Sequence, residues 1–410
     1  MADWVPKVVS FIGLLAMLGV AYALSENRGR ISRRLVLTGL GLQLAVAATV
    51  FLTGIGAWLF TVADRAFAFL LEASNTGATF LFGKLTVDYG IGAIMAFQVL
   101  PIIIFFSALA GILYHLGVTQ LVVRGMARLM RWVLGTSGAE SLAAALFVLL
   151  GIEATTAIIE YIRRMTRSEL FTLMTAFMAT IAGSVMGAYV SFGAAPGHLL
   201  TASLMSAPAA IVIAKIMVPE IEEPLTRGFV HFDPLREAVN VIDAAARGAG
   251  QGLMLALNVG AMLIAFVGLV ALVNLLMKAG TGPWMAEPMT LERLLGYAFS
   301  PVAWVMGVTS WPDATAVGQL LGKRLVLNEF LAYQDMQGLI RAGALSPRGV
   351  LIATYALCGF ANFGSVAILI GGLSAIDPDR KSLVARLGVR SIVSGMLACF
   401  MTACYAGMLA

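Results

Sequence analysis

Stretches 8–25, 35–63, 89–123, 170–214, 248–277, 349–376 and 391–410 contain no Asp, Glu, Lys or Arg. A helix crosses the hydrocarbon core of a bilayer with about 20 apolar residues. Each of these runs is therefore a membrane span, and 170–214 has the length of two, with Gly193-Ala194-Ala195-Pro196-Gly197 as the turn between them. Eight spans follow. The composition agrees: 60% of residues are hydrophobic and only 12% charged, against about 25% charged in soluble domains. The net charge of +5 is carried in short clusters between apolar runs. Such clusters read as topology signals and not as a phosphate-binding face, so no nucleic-acid partner is expected. Cys358, Cys399 and Cys404 all fall in apolar runs without metal or disulfide spacing.

The first run could be a signal peptide, because Ala21-Tyr22-Ala23 resembles a cleavage site. The basic residues Arg28, Arg30, Arg33 and Arg34 follow it, however, which favours a retained helix with its N-terminus outside. Alternating from there places 18 of the 27 Lys and Arg in inner loops. Both termini are then expected on the outer side of a bacterial inner membrane.

Other segments are apolar but too short or too broken for a simple crossing. Residues 58–84 mix Asp64, Arg65, Glu72 and Lys84 with Phe and Leu, as in a helix lying at the interface. Arg124, Arg128 and Arg131 share one face of a second amphipathic helix over 119–134. Segments 137–167 and 290–336 each read as two half-length helices. The first meets Glu153; the second breaks at Trp311-Pro312-Asp313 and reaches Asn328-Glu329. These are the marks of re-entrant hairpins, whose tips must face protein or a water-filled cavity. After each hairpin comes a span with a Gly-Ser-Val triplet, Gly183-Ser184-Val185 and Gly364-Ser365-Val366, and then one more span. The two copies are inverted relative to each other, an architecture shared by many secondary transporters. The chain divides accordingly into N-terminal scaffold helices (1–134), a first repeat (135–220), an inner linker with a scaffold span (221–289), and a second repeat (290–410).

An acid buried in a membrane is costly and usually faces a cavity, which makes Glu153 and Glu329 candidate site residues; the competing reading is two ordinary helix-end acids. Asn362 and Ser365 lie between Gly359 and Gly364, which weaken the helix and free backbone groups; the competing reading is a small-residue packing seam. Gln98 and Asn258 read as helix–helix hydrogen-bonding residues, and His115 and His198 as span-end residues without a role. No P-loop, Gly-x-Ser-x-Gly or His-Glu-x-x-His pattern is present, so neither an enzyme nor a cofactor is expected.

Several strings resemble the concentrative nucleoside transporter family from about Gly92 to the C-terminus. They are Phe97 to Pro101, Gly135 to Ser141, Met178 to Val185, Leu255 to Met262, Asn328-Glu329-Phe330, and Cys358 to Ser365. The resemblance implies an all-α homotrimer in which hairpins and broken spans form a mobile transport domain that moves as an elevator against a scaffold. It also implies that Glu329, Asn362 and Ser365 hold a ribose, that Phe360 lines the substrate site, and that Glu153 reads the nucleobase. The first hairpin departs from the family's pattern, with Gly151 and Ile152 where Gln and Thr are usual. At the position of an ion-ligating Asn stands Leu146. Ser184 and the carbonyls of Leu149 and Val185 remain as oxygen donors. The loss favours coupling to protons, through Glu153 or Glu329, over sodium. The leading expectation is a proton-coupled importer of nucleosides or nucleoside-like ribosides, with a passive facilitator or a non-transporting binding protein on the same fold as the alternatives.

Overall fold

A computed structural model describes residues 4–86, 95–151, 158–226, 238–282, 284–285 and 289–410. It is helical throughout, with no strand among the described residues. The chain opens with α1 (Trp4–Ala23), α2 (Arg33–Leu52) and α3 (Gly54–Phe82). Next come the short α4 (Met95–Gln98), α5 (Leu100–His115) and the amphipathic α6 (Val118–Leu134). The first hairpin supplies α7 (Gly138–Leu150) and α8 (Ile159–Ile162). It is followed by α9 (Arg167–Ala179), α10 (Gly183–Ser191) and α11 (Pro196–Met217). The second half contains α12 (Val241–Thr281), α13 (Leu291–Val305), α14 (Trp311–Val326) and α15 (Glu329–Arg341). It ends with α16 (Pro347–Leu357), α17 (Phe363–Ile376) and α18 (Lys381–Leu409).

Among the described residues, eight helical segments are long and apolar enough to cross a membrane. Their membership differs in two places from the sequence reading. Residues 54–86 qualify, although 58–84 reads as interfacial, because three charges in α3 leave most of its length apolar. The run 349–376 does not qualify as one helix, because it is split into α16 and α17 by the break Cys358–Asn362. The turn expected at Gly193–Gly197 lies between α10 and α11, with Gly193 at φ 87°.

Burial divides the helices. α9, α11 and α18 are buried over most of their length, and α18 packs against α1, α2, α9, α11, α16 and α17. α12 is mostly exposed and packs along α5, as suits a helix whose side chains meet lipid. At 41 residues it is about 60 Å long, twice the roughly 30 Å of a hydrocarbon core.

The string Ser137-Gly138-Ala139-Glu140 is a capping box that starts α7, and Thr166 with Glu169 repeats the device at α9. Ser137 Oγ donates to Glu169 Oε1 at 2.5 Å, so the two starts are tied together. Beside them the buried Lys215 pairs with Glu140 at 2.7 Å and with Glu220 at 3.2 Å. Glu26, between α1 and α2, accepts two hydrogen bonds from Arg167 (2.7 and 3.1 Å) and one from Arg390. The Arg167 hydrogen bond holds the Glu26 carboxyl below its ordinary range, with the charges of Arg167 and Arg390 adding to it.

The second hairpin lies further along than its Pro suggests. Trp311-Pro312-Asp313 forms the first turn of α14, where Pro costs no hydrogen bond. The preceding turn contains Gly307 at φ 109° and is held by Arg348 Nε on Gly307 O at 2.8 Å. The tip is the pair Leu327-Asn328 between α14 and α15.

Candidate functional site

α9–α10 and α16–α17 are broken helices that meet at their breaks. α9 stops at Ala179 and α10 starts at Gly183, with Thr180 and Ala182 extended. α16 stops at Leu357 and α17 starts at Phe363, with Asn362 extended. Phe360 N donates to Thr180 O at 3.2 Å, joining the two breaks by their backbones. The approach is close enough to demand glycine at 359: a Cβ there would stand 2.8 Å from Met178 O and 2.7 Å from Cys399 Sγ. Both Gly-Ser-Val triplets sit in the first turn after a break, Gly183 opening α10 and Gly364 standing second in α17. The two triplets therefore occupy similar places, one residue apart in register.

Half-helices leave N–H groups unsatisfied at their starts, which gives the site its polarity. Asn328 caps α15, its Oδ1 accepting from Leu331 N at 3.0 Å, and places Glu329 at the first helical position. Asn362 caps α17, its Oδ1 accepting from Ser365 N at 2.7 Å. That bond fixes the amide orientation, so Asn362 Nδ2 faces Glu329 and donates to Oε2 at 3.0 Å. The other carboxyl oxygen accepts from Tyr189 Oη at 2.9 Å. Tyr189 is fully buried and stacks on Tyr333, with ring centroids 4.7 Å apart; Tyr333 Oη in turn donates to Thr354 O at 2.7 Å.

These groups line a cavity of about 140 Å³. Glu329, Asn362, Ser365, Phe360 and Gly151 all face it, as do Val185 and Tyr189; Leu255, Asn258, Val259 and Met262 of α12 form the opposite wall. Phe360 is backed by Phe177 at 5.6 Å, which meets Phe147 edge-on at the same distance. Gly151 ends α7 at φ 63° and ψ −141°, a backbone state suited to glycine. Asn258 lines the cavity although its sequence position reads as a helix–helix contact. Gln98 lies away from it and donates to Leu85 O at 3.4 Å.

Ile152 and Glu153 lie outside the described residues. Leu146 is fully buried within an unbroken apolar stretch of α7, Leu142 to Val148. Where α7 ends, Leu149 O comes 3.1 Å from the position of a Cβ on Gly183, so the first hairpin and the start of α10 meet beside Ser184. Among the described residues no group of three or more His, Cys, Asp and Glu is placed to hold a metal ion. His198, read as a span-end residue, packs between Phe51 and Phe60, with Nδ1 3.3 Å from Tyr355 Oη.

Sequence reasoning missed two residues. Tyr189 shares the helix face of Val185 one turn earlier, and an aromatic there reads as packing. Arg324 is fully buried, yet beside Lys323 it reads as a surface charge. Its signal was its register: Val317, Leu320, Leu321 and Arg324 form one buried stripe of α14.

Comparison with known proteins places this architecture. Models described as the C-terminus and N-terminus of a Na+-dependent nucleoside transporter match residues 198–407 and 12–85, and one described as nucleoside recognition matches 96–196. The chain belongs to the concentrative nucleoside transporter family, a family of membrane transporters and not of enzymes. An uncharacterized transporter of Bacillus subtilis, YutK, is 42% identical, over 97% of this chain and 98% of its own. Mouse solute carrier family 28 member 3 is 39% identical over 98% of this chain, which spans 59% of that longer protein. Among solved structures, CNTnw in an inward-facing substrate-bound state is 39% identical with a TM-score of 0.93, covering 98% of both chains. A CNTnw double variant in an outward-facing state is 38% identical with a TM-score of 0.92, covering 99% of this chain and 98% of its own.

Proposed function

We propose that this chain is a secondary transporter carrying nucleosides, or ribosides with the same vicinal diol, inward across a bacterial inner membrane. The observation that carries the reading is the Glu329 carboxylate at a cavity, gripped by Tyr189 and Asn362 on one lone pair per oxygen. A carboxylate has about four lone-pair sites, so acceptors remain for two ribose hydroxyls, and charge-assisted bonds of this kind are strong. Ser365 supplies a further hydroxyl group, and Phe360 an aromatic face for the base. Gly151, Ile152 and Glu153 would meet the base edge; without the family's Gln-Thr pair they would read it loosely and admit less polar groups.

Coupling to protons is supported by Leu146, which brings no oxygen to the region where Leu149, Ser184 and Val185 would otherwise complete a cation site; Glu329 and Glu153 are the candidate carriers. Sodium coupling is favoured instead by one specific observation, the Na+-dependent relatives, among them a mouse sodium/nucleoside cotransporter 36% identical to this chain. The reading extends to a homotrimer whose hairpins and broken helices move together as an elevator, with both termini outside. CNTnw structures in inward-facing, intermediate and outward-facing states support the movement; the trimer and the placement of the termini rest on family resemblance and on the distribution of Lys and Arg.

The test is radiolabelled uridine and adenosine uptake into proteoliposomes, with sodium and proton gradients imposed separately. Proton-driven accumulation abolished by Glu329→Gln supports the reading. Sodium-driven accumulation shows that Leu146 is tolerated and refutes proton coupling. Absence of uptake by folded protein refutes nucleosides as the substrate.

A further inference from the structure

Arg324 is a fully buried guanidinium at the last turn of α14, five residues before Glu329, on the other side of the hairpin tip. Its Nε donates to Gly359 O at 3.1 Å, its Nη1 donates to Ala356 O, and its Nη2 lies 3.4 Å from Cys399 Sγ. Ala356 and Gly359 lie at the carbonyl end of α16, where a broken helix leaves acceptors without partners. Cys399 Sγ is also 3.4 Å from Cys358 O, within the same break.

The second hairpin thus grips the break in α16–α17 from both sides. Arg324, before the tip, holds the carbonyl end. Glu329, after the tip, holds the amide end through Asn362 Nδ2. Between the two clasps lie Phe360, Ala361 and Asn362, the segment that supplies two lining residues of the cavity. Only a planar fork with several donors spans two carbonyls and a sulfur from one buried position.

Resting on the reading of the cavity as a riboside site, we propose that Arg324 is a positioning residue for that site: by holding Ala356 O and Gly359 O it keeps Phe360 and Asn362 in register with Glu329. Arg324 touches no substrate in this scheme. Its effect reaches the ligand through Asn362, and that gives the role a signature that loss of general stability does not have.

The experiment is a double-mutant cycle on uridine KM in proteoliposomes, with Arg324→Met, Asn362→Ala and the pair, each checked for monodispersity in detergent. Arg324→Met keeps the bulk of the stem and removes the donors. It is expected to raise KM about tenfold, the scale of the ordering cost that the ligand must then meet to immobilise Phe360 and Asn362. Vmax per folded protein is expected to stay nearly unchanged, because loss of binding alone raises KM and leaves turnover. Asn362→Ala is expected to raise KM in the parent and to add little in the Arg324→Met background, because the residue it removes is already out of place. An unchanged KM in Arg324→Met, or full additivity in the pair, overturns the proposal. If Arg324→Met does not fold, the cycle is run with Arg324→Lys, which keeps the charge and loses the fork. A raised, non-additive KM there supports the role, and an unchanged KM overturns it. An Asn362→Ala parent with unaltered uridine KM overturns the substrate reading as well, and is recognised because it appears before Arg324 is touched.

Discussion

Replacing Tyr189 by Phe removes one oxygen from the site and nothing else. The ring keeps its stack on Tyr333 at 4.7 Å and its edge contact with Phe330. Glu329 Oε1 loses the donor now 2.9 Å away, and Asn362 is left as the carboxylate's side-chain anchor on Oε2. A buried hydrogen bond to a charged group contributes about 1.5–3 kcal/mol, so the variant is expected to melt earlier in detergent. The effect on the ligand is smaller and more informative. A carboxyl held at one oxygen can rotate, and binding a diol must then freeze it, at about 0.5–1.5 kcal/mol for an immobilised side chain. That corresponds to roughly a two- to tenfold rise in uridine KM. A ligand with only one of the two hydroxyls depends less on the carboxyl's orientation, so 2′-deoxyuridine should lose less affinity than uridine. The assay is competition of both compounds against labelled uridine in proteoliposomes. Equal rises for the two compounds, or no rise for either, would refute the argument that Tyr189 orients Glu329 for a diol.

Other outcomes follow from the same geometry. Glu329→Gln keeps the shape but loses the charge, and should raise uridine KM about 10- to 100-fold, measured by binding calorimetry as well as uptake; retained affinity would remove Glu329 from the site. Gly359→Ala should cost about 1–3 kcal/mol, because its Cβ meets the Met178 carbonyl at 2.8 Å. Gly371→Ala, in the interior of α17 with open space around it, should instead stabilise by about 0.5–1 kcal/mol, and thermal unfolding of the two variants compares them directly. Leu146→Asn should make uptake respond to sodium where the parent does not, and an identical response in both would show that position 146 does not decide the ion. Glu26 has its carboxyl held below its ordinary value of 4.5 by Arg167 and Arg390. Its contribution to stability is therefore complete above that value and is lost as pH falls below it. Glu26→Gln should flatten the acid limb of the melting curve there, and a limb unchanged in shape would show that the Arg167 contact is unimportant.

Much of this architecture could be read from the chain because the bilayer imposes a length. The apolar runs, the turn at Gly193–Gly197 and the amphipathic α6 all follow from periodicity and span length. The two Gly-Ser-Val triplets read as marks of a repeat inside full spans; that each stands where a half-helix restarts shows only in the structure, and of the two breaks only the one between Gly359 and Gly364 is signalled by its glycines. Glu329, Asn362, Ser365 and Phe360 came from a buried acid and from family resemblance, and all four face one cavity. What escaped were side chains whose role depends on which way a helix is turned. Lys323 points outward to Asp335, whereas Arg324, one step of about 100° further round, points inward. Tyr189 gives no sign in the sequence that its hydroxyl ends beside an acid 140 residues away. The tip of the second hairpin was obscured by Pro312, which starts a helix here and ends none.

The polar groups around the cavity are unevenly shared. Glu329 stands on α15, Asn362 at the α16–α17 break, Ser365 on α17 and Tyr189 on α10, while α12 offers Leu255, Val259 and Met262, with Asn258 as its one hydrogen-bonding side chain there. On the proposed reading, a guest in this cavity would be fastened to one wall and only rest against the other. The proposed sliding of the walls would then part it from a surface it grips through a single amide at most, like a latch drawn along a greased rail. What α12 leaves out would set the friction of that passage.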